Sequence, residues 1–175
     1  MLAEKLICDR YVLEEKLGSG TLGDIYRATD TQTNRAVAVR LVTEVDDPLA
    51  LATYYRQWAI QAGIRDEHVG QILDIGEATK DDRRYPVVVT PFSDGTPLCD
   101  LFLQPLSNSS PKEWLKAIHQ ATLGVHKAHE RGLIHGRLHS GNVLVGRDGS
   151  LRVVDFGNGG ALNRKDGIPR DIASL

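Results

Sequence analysis

Cysteine is scarce in this chain of 175 residues: Cys8 and Cys99 are the only two, and they show no spacing that suits a metal site or a redox pair. The N-terminal run Met-Leu-Ala-Glu-Lys-Leu-Ile-Cys-Asp also lacks the long apolar core of a signal peptide. Both absences point to a reducing, cytoplasmic setting. Long hydrophobic runs are missing too. Val87-Val88-Val89 is far too short to cross a bilayer, which takes about 20 residues. Neither sign of charge dominates: 21 Lys and Arg against 23 Asp and Glu leave a formal net charge of -2. That gives no electrostatic case for nucleic acid or an anionic membrane as partner. There is no internal repeat and no low-complexity segment. With 41% hydrophobic and 25% charged residues, the composition is that of a soluble globular protein.

Hydrophobic periodicity divides the chain into two parts. Tyr11 to Ser19 alternates apolar and polar residues, and Asp24 to Ala28 and Ala36 to Val42 follow with β-branched residues, which predicts three antiparallel strands. The intervening Asp30-Thr31-Gln32-Thr33-Asn34 has turn chemistry, with Asn34 suited to a left-handed position. Leu49, Ala52, Tyr55, Ala59 and Ala62 recur at helical spacing within 48–64. Two more strands are predicted at Gln71 to Ile75 and Pro86 to Thr90, giving a five-stranded sheet with one helix. Past Ser93-Asp94-Gly95 the pattern becomes helical, first briefly near Leu98 to Phe102. A long helix then starts after Ser110 as N-cap, with Pro111 at the first helical position and Glu113 completing a capping box. Its apolar stripe is Trp114, Ile118, Ala121, Val125 and Ala128, and it ends near Gly132. Two short strands, Val143 to Val145 and Leu151 to Val154, flank the turn Arg147-Asp148-Gly149.

Four motifs carry chemistry. Gly18-Ser19-Gly20-Thr21-Leu22-Gly23 lies between two predicted strands, with a plain hairpin that uses glycines for positive φ as the alternative. Val37-Ala38-Val39-Arg40 lies on the third strand. His135-Gly136-Arg137-Leu138-His139-Ser140-Gly141-Asn142 follows the long helix, and Asp155-Phe156-Gly157 closes the last strand, where a plain strand-end turn is the alternative. His135 and His139 stand four apart but in a loop, without a third ligand at suitable spacing. His119, His126 and His129 on the long helix read as surface or partly packed residues.

In order and spacing these motifs resemble those of the protein kinase family, most nearly bacterial-type serine/threonine kinases, from about Tyr11 to the end of the chain. The resemblance implies an α+β, two-lobe fold. Residues 1–92 would form the small lobe, with a five-stranded antiparallel sheet and one main helix. Residues 93–175 would form a mainly helical and incomplete large lobe. It also implies ATP and Mg2+ as cofactors. Gly18, Gly20 and Gly23 would approach the phosphates, with Asn142 and Asp155 as oxygen ligands to the metal. Ile25, Ala38 and Leu144 would face the nucleotide, with Thr90 as gatekeeper and Pro91 to Ser93 as hinge; proline at the first hinge position loses only an N-H. Arg40 stands where the family has a lysine, and Gln57 where it has the glutamate that pairs with that lysine. At most a neutral-to-charged hydrogen bond could join them, and both are also readable as ordinary exposed residues.

Arg137 is the largest departure, since it replaces the aspartate that would accept the hydroxyl proton. A guanidinium has N-H donors and no acceptor, so it cannot do so. Gly136 and His139 also depart from the pattern, His139 replacing a lysine that would contact the transferred phosphate. After Asp155-Phe156-Gly157 the family's activation segment and Ala-Pro-Glu anchor have no counterpart. The chain soon reaches Asp171-Ile172-Ala173-Ser174-Leu175, which resembles the start of the family's central helix. Asn158-Gly159-Gly160 and Arg164-Lys165-Asp166-Gly167 read as a short loop. The expectation is therefore a pseudokinase that binds nucleotide, with a low-activity serine/threonine kinase and an empty-pocket interaction scaffold as alternatives. Without cover from that central helix, Trp114, Ile118 and Val125 are expected to be exposed. A protein partner, or the remainder of a longer chain, would then bury that face.

Overall fold

The computed structural model describes residues 6–80, 83–103, 110–157 and 164–175, and it has the expected α+β architecture. The chain forms two compact units, Met1–Leu51 with Ile72–Ser93, and Ala52–Gln71 with Asp94–Leu175.

The first unit is built on a sheet of β1 (Leu6–Ile7), β2 (Tyr11–Gly20), β3 (Gly23–Asp30), β4 (Arg35–Val42), β5 (Asp74–Lys80) and β6 (Arg83–Pro91). Their order is β1-β2-β3-β4-β6-β5, antiparallel throughout. The sheet thus has six strands, not the expected five. β1 escapes a sequence reading because its turn places Cys8 and Asp9 at φ +52°, with none of the Asn-Gly chemistry that usually announces a hairpin. β5 starts later than expected, at Asp74, and runs through Gly76, Glu77 and Lys80, which are poor strand formers held by the ladder to β6.

Period-two alternation puts Tyr26, Ala28, Val37, Val39, Leu41, Val87 and Val89 on one face, where they form the buried core of this unit. The two edges of the sheet are drawn together by polar contacts. The Tyr11 hydroxyl donates to Asp74 at 2.8 Å, and the Cys8 thiol donates to the Glu77 carbonyl at 3.3 Å.

Arg10 forms a bidentate pair with the buried Asp30 (both N-O distances 2.8 Å), whose carboxylate also accepts from the Gln32 amide and the Thr33 hydroxyl. The Arg10 guanidinium holds the Asp30 carboxyl well below the usual carboxylate range. A depressed pKa contributes stability above the unfolded-state value of about 4, and that contribution is lost as pH falls toward the folded value. Asp30→Asn is therefore expected to lower Tm near neutral pH and to approach the wild type as pH falls to about 2. Melting curves across that range check it; a constant Tm gap would contradict it.

α1 (Pro48–Ala62) begins where Asp47 caps it, accepting from the amides of Leu49 and Ala50 with Pro48 at the first helical position. From Ala52 onward it belongs to the second unit. That unit continues with β7 (Thr96–Pro97), α2 (Leu98–Leu103), α3 (Pro111–Glu130), β8 (Val143–Val145), β9 (Leu151–Val153) and α4 (Arg164–Ala173). β7, β8 and β9 form a three-stranded sheet, of which β7 is the strand without a sequence signal. The capping box of α3 is realised in full: Ser110 Oγ accepts from Glu113 N, and Glu113 Oε2 accepts from Ser110 N at 2.6 Å. Gly132, just past the helix, takes φ +75°.

The core of this unit gathers Val69, Leu98, Ala121, Val125, Ala128, Leu133, Leu138, Leu151, Val153 and Phe156. Trp114 packs at its margin. Val125 is 1% exposed, so the expectation that it lacks cover is overturned, and of the three stripe residues it is Ile118, at 45%, that faces solvent. The reason is that β9 and the chain following α3 already seat against the Ala121–Val125–Ala128 side of the helix.

Residues 164–167, read from the sequence as loop, open α4, and Asp171 stands near its end rather than at a helix start. Gly167 and Pro169 hide this helix from propensity. Gly167 is needed there because an added Cβ would lie 2.5 Å from Ile134 Cγ2. The expected loop at 158–160 lies outside the described residues.

Candidate nucleotide and metal site

Within the first unit, strand register assembles nine of the candidate residues. Gly18 pairs with Ile25, Gly20 with Gly23, Ile25 with Arg40, Ala38 with Thr90 and Val37 with Pro91, while Ser93 follows the end of β6. Because directly paired residues share a face, Ile25, Ala38, Arg40 and Thr90 all lie on the side opposite the Tyr26–Val39–Val89 core. The β2–β3 hairpin carries the glycines, and Gly23 is required there: φ is +133° and an added Cβ would sit 2.0 Å from the Leu41 carbonyl oxygen. An added Cβ on Gly20 would lie 3.3 Å from Arg40 Nη1, so the Arg40 guanidinium reaches the glycine-rich hairpin itself. Arg40 is half-buried, unlike an ordinary surface arginine.

Within the second unit the chain from Ile134 to Gly157 folds around one histidine. His135 is fully buried, and its Nε2 donates to the Val154 carbonyl at 2.9 Å. A carbonyl only accepts, so the proton sits on Nε2 and Nδ1 is left to accept from Arg137 N at 3.3 Å. Burial pushes the His135 pKa down, which favours this neutral ring. Phe156 stacks obliquely on it at 4.9 Å. The neighbouring main chain is tied to Asp171. Its Oδ2 accepts from His135 N at 2.7 Å and from His129 Nε2 at 2.9 Å, and its Oδ1 accepts from Gly136 N at 2.7 Å. Sequence reasoning missed His129 in this role. It is buried, not a surface residue, and its partner lies 42 positions away.

Asn142 and Asp155 come together through one backbone bond, from Val154 N to Asn142 O at 2.9 Å. Asn142 Nδ2 donates to the Arg137 carbonyl at 3.1 Å, which orients the side chain and leaves Oδ1 as its acceptor end. Asp155 takes φ +62° in the left-handed region, which Asp tolerates better than most residues. Gly157, at φ +79°, donates its N-H to the Ile134 carbonyl and leaves room for α1: an added Cβ would lie 2.9 Å from Gln57 Cβ. Gln57 is thus packed against the Asp-Phe-Gly turn rather than exposed, and its buried amide oxygen has no hydrogen-bond partner among the described residues. Leu144 sits mid-strand in β8. The Arg137 side chain is exposed. His139 caps the 3-10 turn Ser140–Asn142, its Nδ1 accepting from Gly141 N at 3.1 Å.

Asn142 Oδ1 and the Asp155 carboxylate are hard oxygen donors of the kind magnesium takes, usually with waters and substrate phosphates completing the shell. Among the described residues no group of three His, Cys, Asp or Glu could hold a metal ion. Among the described residues no helix is long and apolar enough to cross a membrane.

Comparison with known proteins bears on the fold and the family. The serine/threonine-protein kinase PknB of Mycolicibacterium smegmatis is 26% identical over 164 residues, covering 93% of this chain and 26% of that protein. A probable serine/threonine-protein kinase PknB of Lactococcus lactis is 30% identical over 164 residues, covering 91% and 25%. The chain therefore spans about a quarter of the length of these relatives. The Mycobacterium tuberculosis PknI kinase domain shares the fold at a TM-score of 0.76 with 19% identity, covering 90% of this chain and 63% of that one. The family model for the protein kinase domain matches residues 11–172, nearly the whole chain, and this chain accordingly belongs to the protein kinase domain family.

Proposed function

We propose that the chain binds ATP with Mg2+ and is impaired in phosphoryl transfer, acting as a pseudokinase through its nucleotide-dependent conformation or a protein partner. The observation that carries this reading is Arg137. It stands where the family resemblance puts the base, in a loop in which His135 is buried, Asn142 is oriented by the Arg137 carbonyl and Val154, next to Asp155, bonds back to Asn142, while Gly136 and His139 depart from the family pattern as well. Phosphoryl transfer is mostly positioning and charge stabilisation, so the glycine-rich hairpin, Arg40, Asn142 and Asp155 retain the chemistry of holding a polyphosphate and its metal. Arg137 cannot accept a proton. Losing a positioned general base typically lowers the rate by about 10² to 10⁴.

The alternative is an active serine/threonine kinase, favoured by the preserved Asn142 and Asp155 arrangement and by the names of the relatives. Thermal melts with ATP, with and without magnesium, separate the readings from an empty scaffold. A saturable rise in Tm is expected for the wild type and is expected to vanish in Asp155→Ala. No shift at millimolar ATP in a folded sample would leave only a scaffold role. Labelled-phosphate transfer at about 1 to 100 s⁻¹, the usual kinase range, would establish the active alternative instead.

A further inference from the structure

The glycine end of the β2–β3 hairpin carries a charged network. Asp24 Oδ1 accepts from Ser19 Oγ at 2.8 Å and from Lys16 Nζ at 2.8 Å, and Asp24 Oδ2 accepts from Tyr26 Oη at 3.3 Å. Ser19 pairs with Asp24 and Lys16 with Tyr26, so the four side chains cluster across β2 and β3 around the register shift between Lys16 and Gly18. Tyr26 and Leu41, the partner of Asp24 in β4, belong to the buried core of the first unit, whereas Ile25 projects to the other face with Arg40. The network therefore ties the hairpin to the core from the side opposite the candidate nucleotide-facing residues. The Lys16 and Ser19 hydrogen bonds also hold the Asp24 carboxyl below its ordinary range, so the latch keeps its charge at any near-neutral pH.

Such a tie matters because glycine-rich strands are weakly specified by their own side chains. An added Cβ on Gly18 would meet nothing within 4 Å, so this glycine does not hold the hairpin in place by close packing. Every conformation open to an untethered hairpin dilutes the one able to present its amides to phosphate, and apparent affinity falls with that fraction.

We propose that Asp24 is a positioning residue that latches the glycine-rich hairpin in its binding conformation and so sets the affinity for the phosphate chain of a nucleotide. This rests on the nucleotide reading above. Neither Asp24 nor Lys16 needs to touch the nucleotide to act this way.

The test compares wild type with Asp24→Asn, Lys16→Met and the conservative Asp24→Glu. Calorimetric titration with MgATP and with adenosine is combined with hydrogen exchange at Thr21, Leu22 and Gly23. Asp24→Asn and Lys16→Met are expected to weaken MgATP by about 5- to 10-fold. Adenosine binding should stay within about twofold, because it has no phosphates for the hairpin to hold. Asp24→Glu should recover part of the loss, and hairpin exchange should accelerate while the global Tm barely moves. Unchanged MgATP affinity, or an equal loss for MgATP and adenosine, would overturn the proposal. A wild type that binds neither ligand would refute the nucleotide reading and with it the functional half of the proposal. Hairpin exchange would then decide on its own whether the latch exists: acceleration in Asp24→Asn supports it, and unchanged exchange refutes it.

Discussion

Asp171→Ala is expected to destabilise the chain by about 3 to 5 kcal/mol, a large fraction of the stability of an ordinary domain. The carboxylate is completely buried and accepts three hydrogen bonds, from His135 N, Gly136 N and His129 Nε2. Removing it leaves the His135 and Gly136 amides unsatisfied in a region closed to solvent and takes one hydrogen bond from His129, and each unsatisfied donor costs about 1 to 3 kcal/mol. The loop carrying Arg137 starts at those two amides, so its conformation should loosen along with the global stability. Asp171→Asn keeps the shape and one acceptor and should cost less. Denaturant unfolding of the three proteins measures the difference. A loss below about 1 kcal/mol for Asp171→Ala, the scale of an ordinary surface change, would show that the cluster is not a structural centre.

Gly23→Ala is expected to be the other severe change, costing about 3 kcal/mol or more, with loss of any ATP-dependent rise in Tm. Two causes act together. Its φ of +133° is disfavoured for any residue with a Cβ, and the new methyl would lie 2.0 Å from Leu41 O and 2.8 Å from Thr43 N. Both are backbone atoms of β4 and the residues after it, and they cannot swing aside as a flexible side chain would. Gly18→Ala is the matched control in the same motif. With nothing within 4 Å of the added carbon, it should alter stability by no more than about 0.5 kcal/mol. Equal losses in the two variants would contradict the assignment of Gly23 as the sterically required glycine. A large loss at Gly23 together with a silent Gly18 would support it.

Much of this molecule was legible in the sequence because its signals are local. The start of α3 is the clearest case: Ser110, Pro111 and Glu113 satisfy helix-end groups within four residues of one another, and no distant contact is needed to call them. The strands β2, β3, β4, β8 and β9 and the turn at Gly149 were readable from alternation and turn chemistry for the same reason. The ordered motifs from Gly18 to Gly157 were enough to point to the kinase fold, and Arg137 stood out only against the catalytic-loop pattern that this resemblance supplied.

What the tertiary structure decided depends on partners far apart in the chain. His129 looks like any helix histidine until Asp171 meets it 42 residues later, and α4 carries a glycine and a proline that argue against a helix until Ile134 is seen to need the space at Gly167. Strand register, which no periodicity specifies, placed Ile25, Ala38, Arg40 and Thr90 on one face and Asp24 with the Tyr26 core on the other. Local propensity and capping act over a few residues, so composition and spacing determined the elements and the motif inventory. Burial, shared faces and long-range hydrogen bonds exist only once the chain has packed, and they determined which of those residues act together.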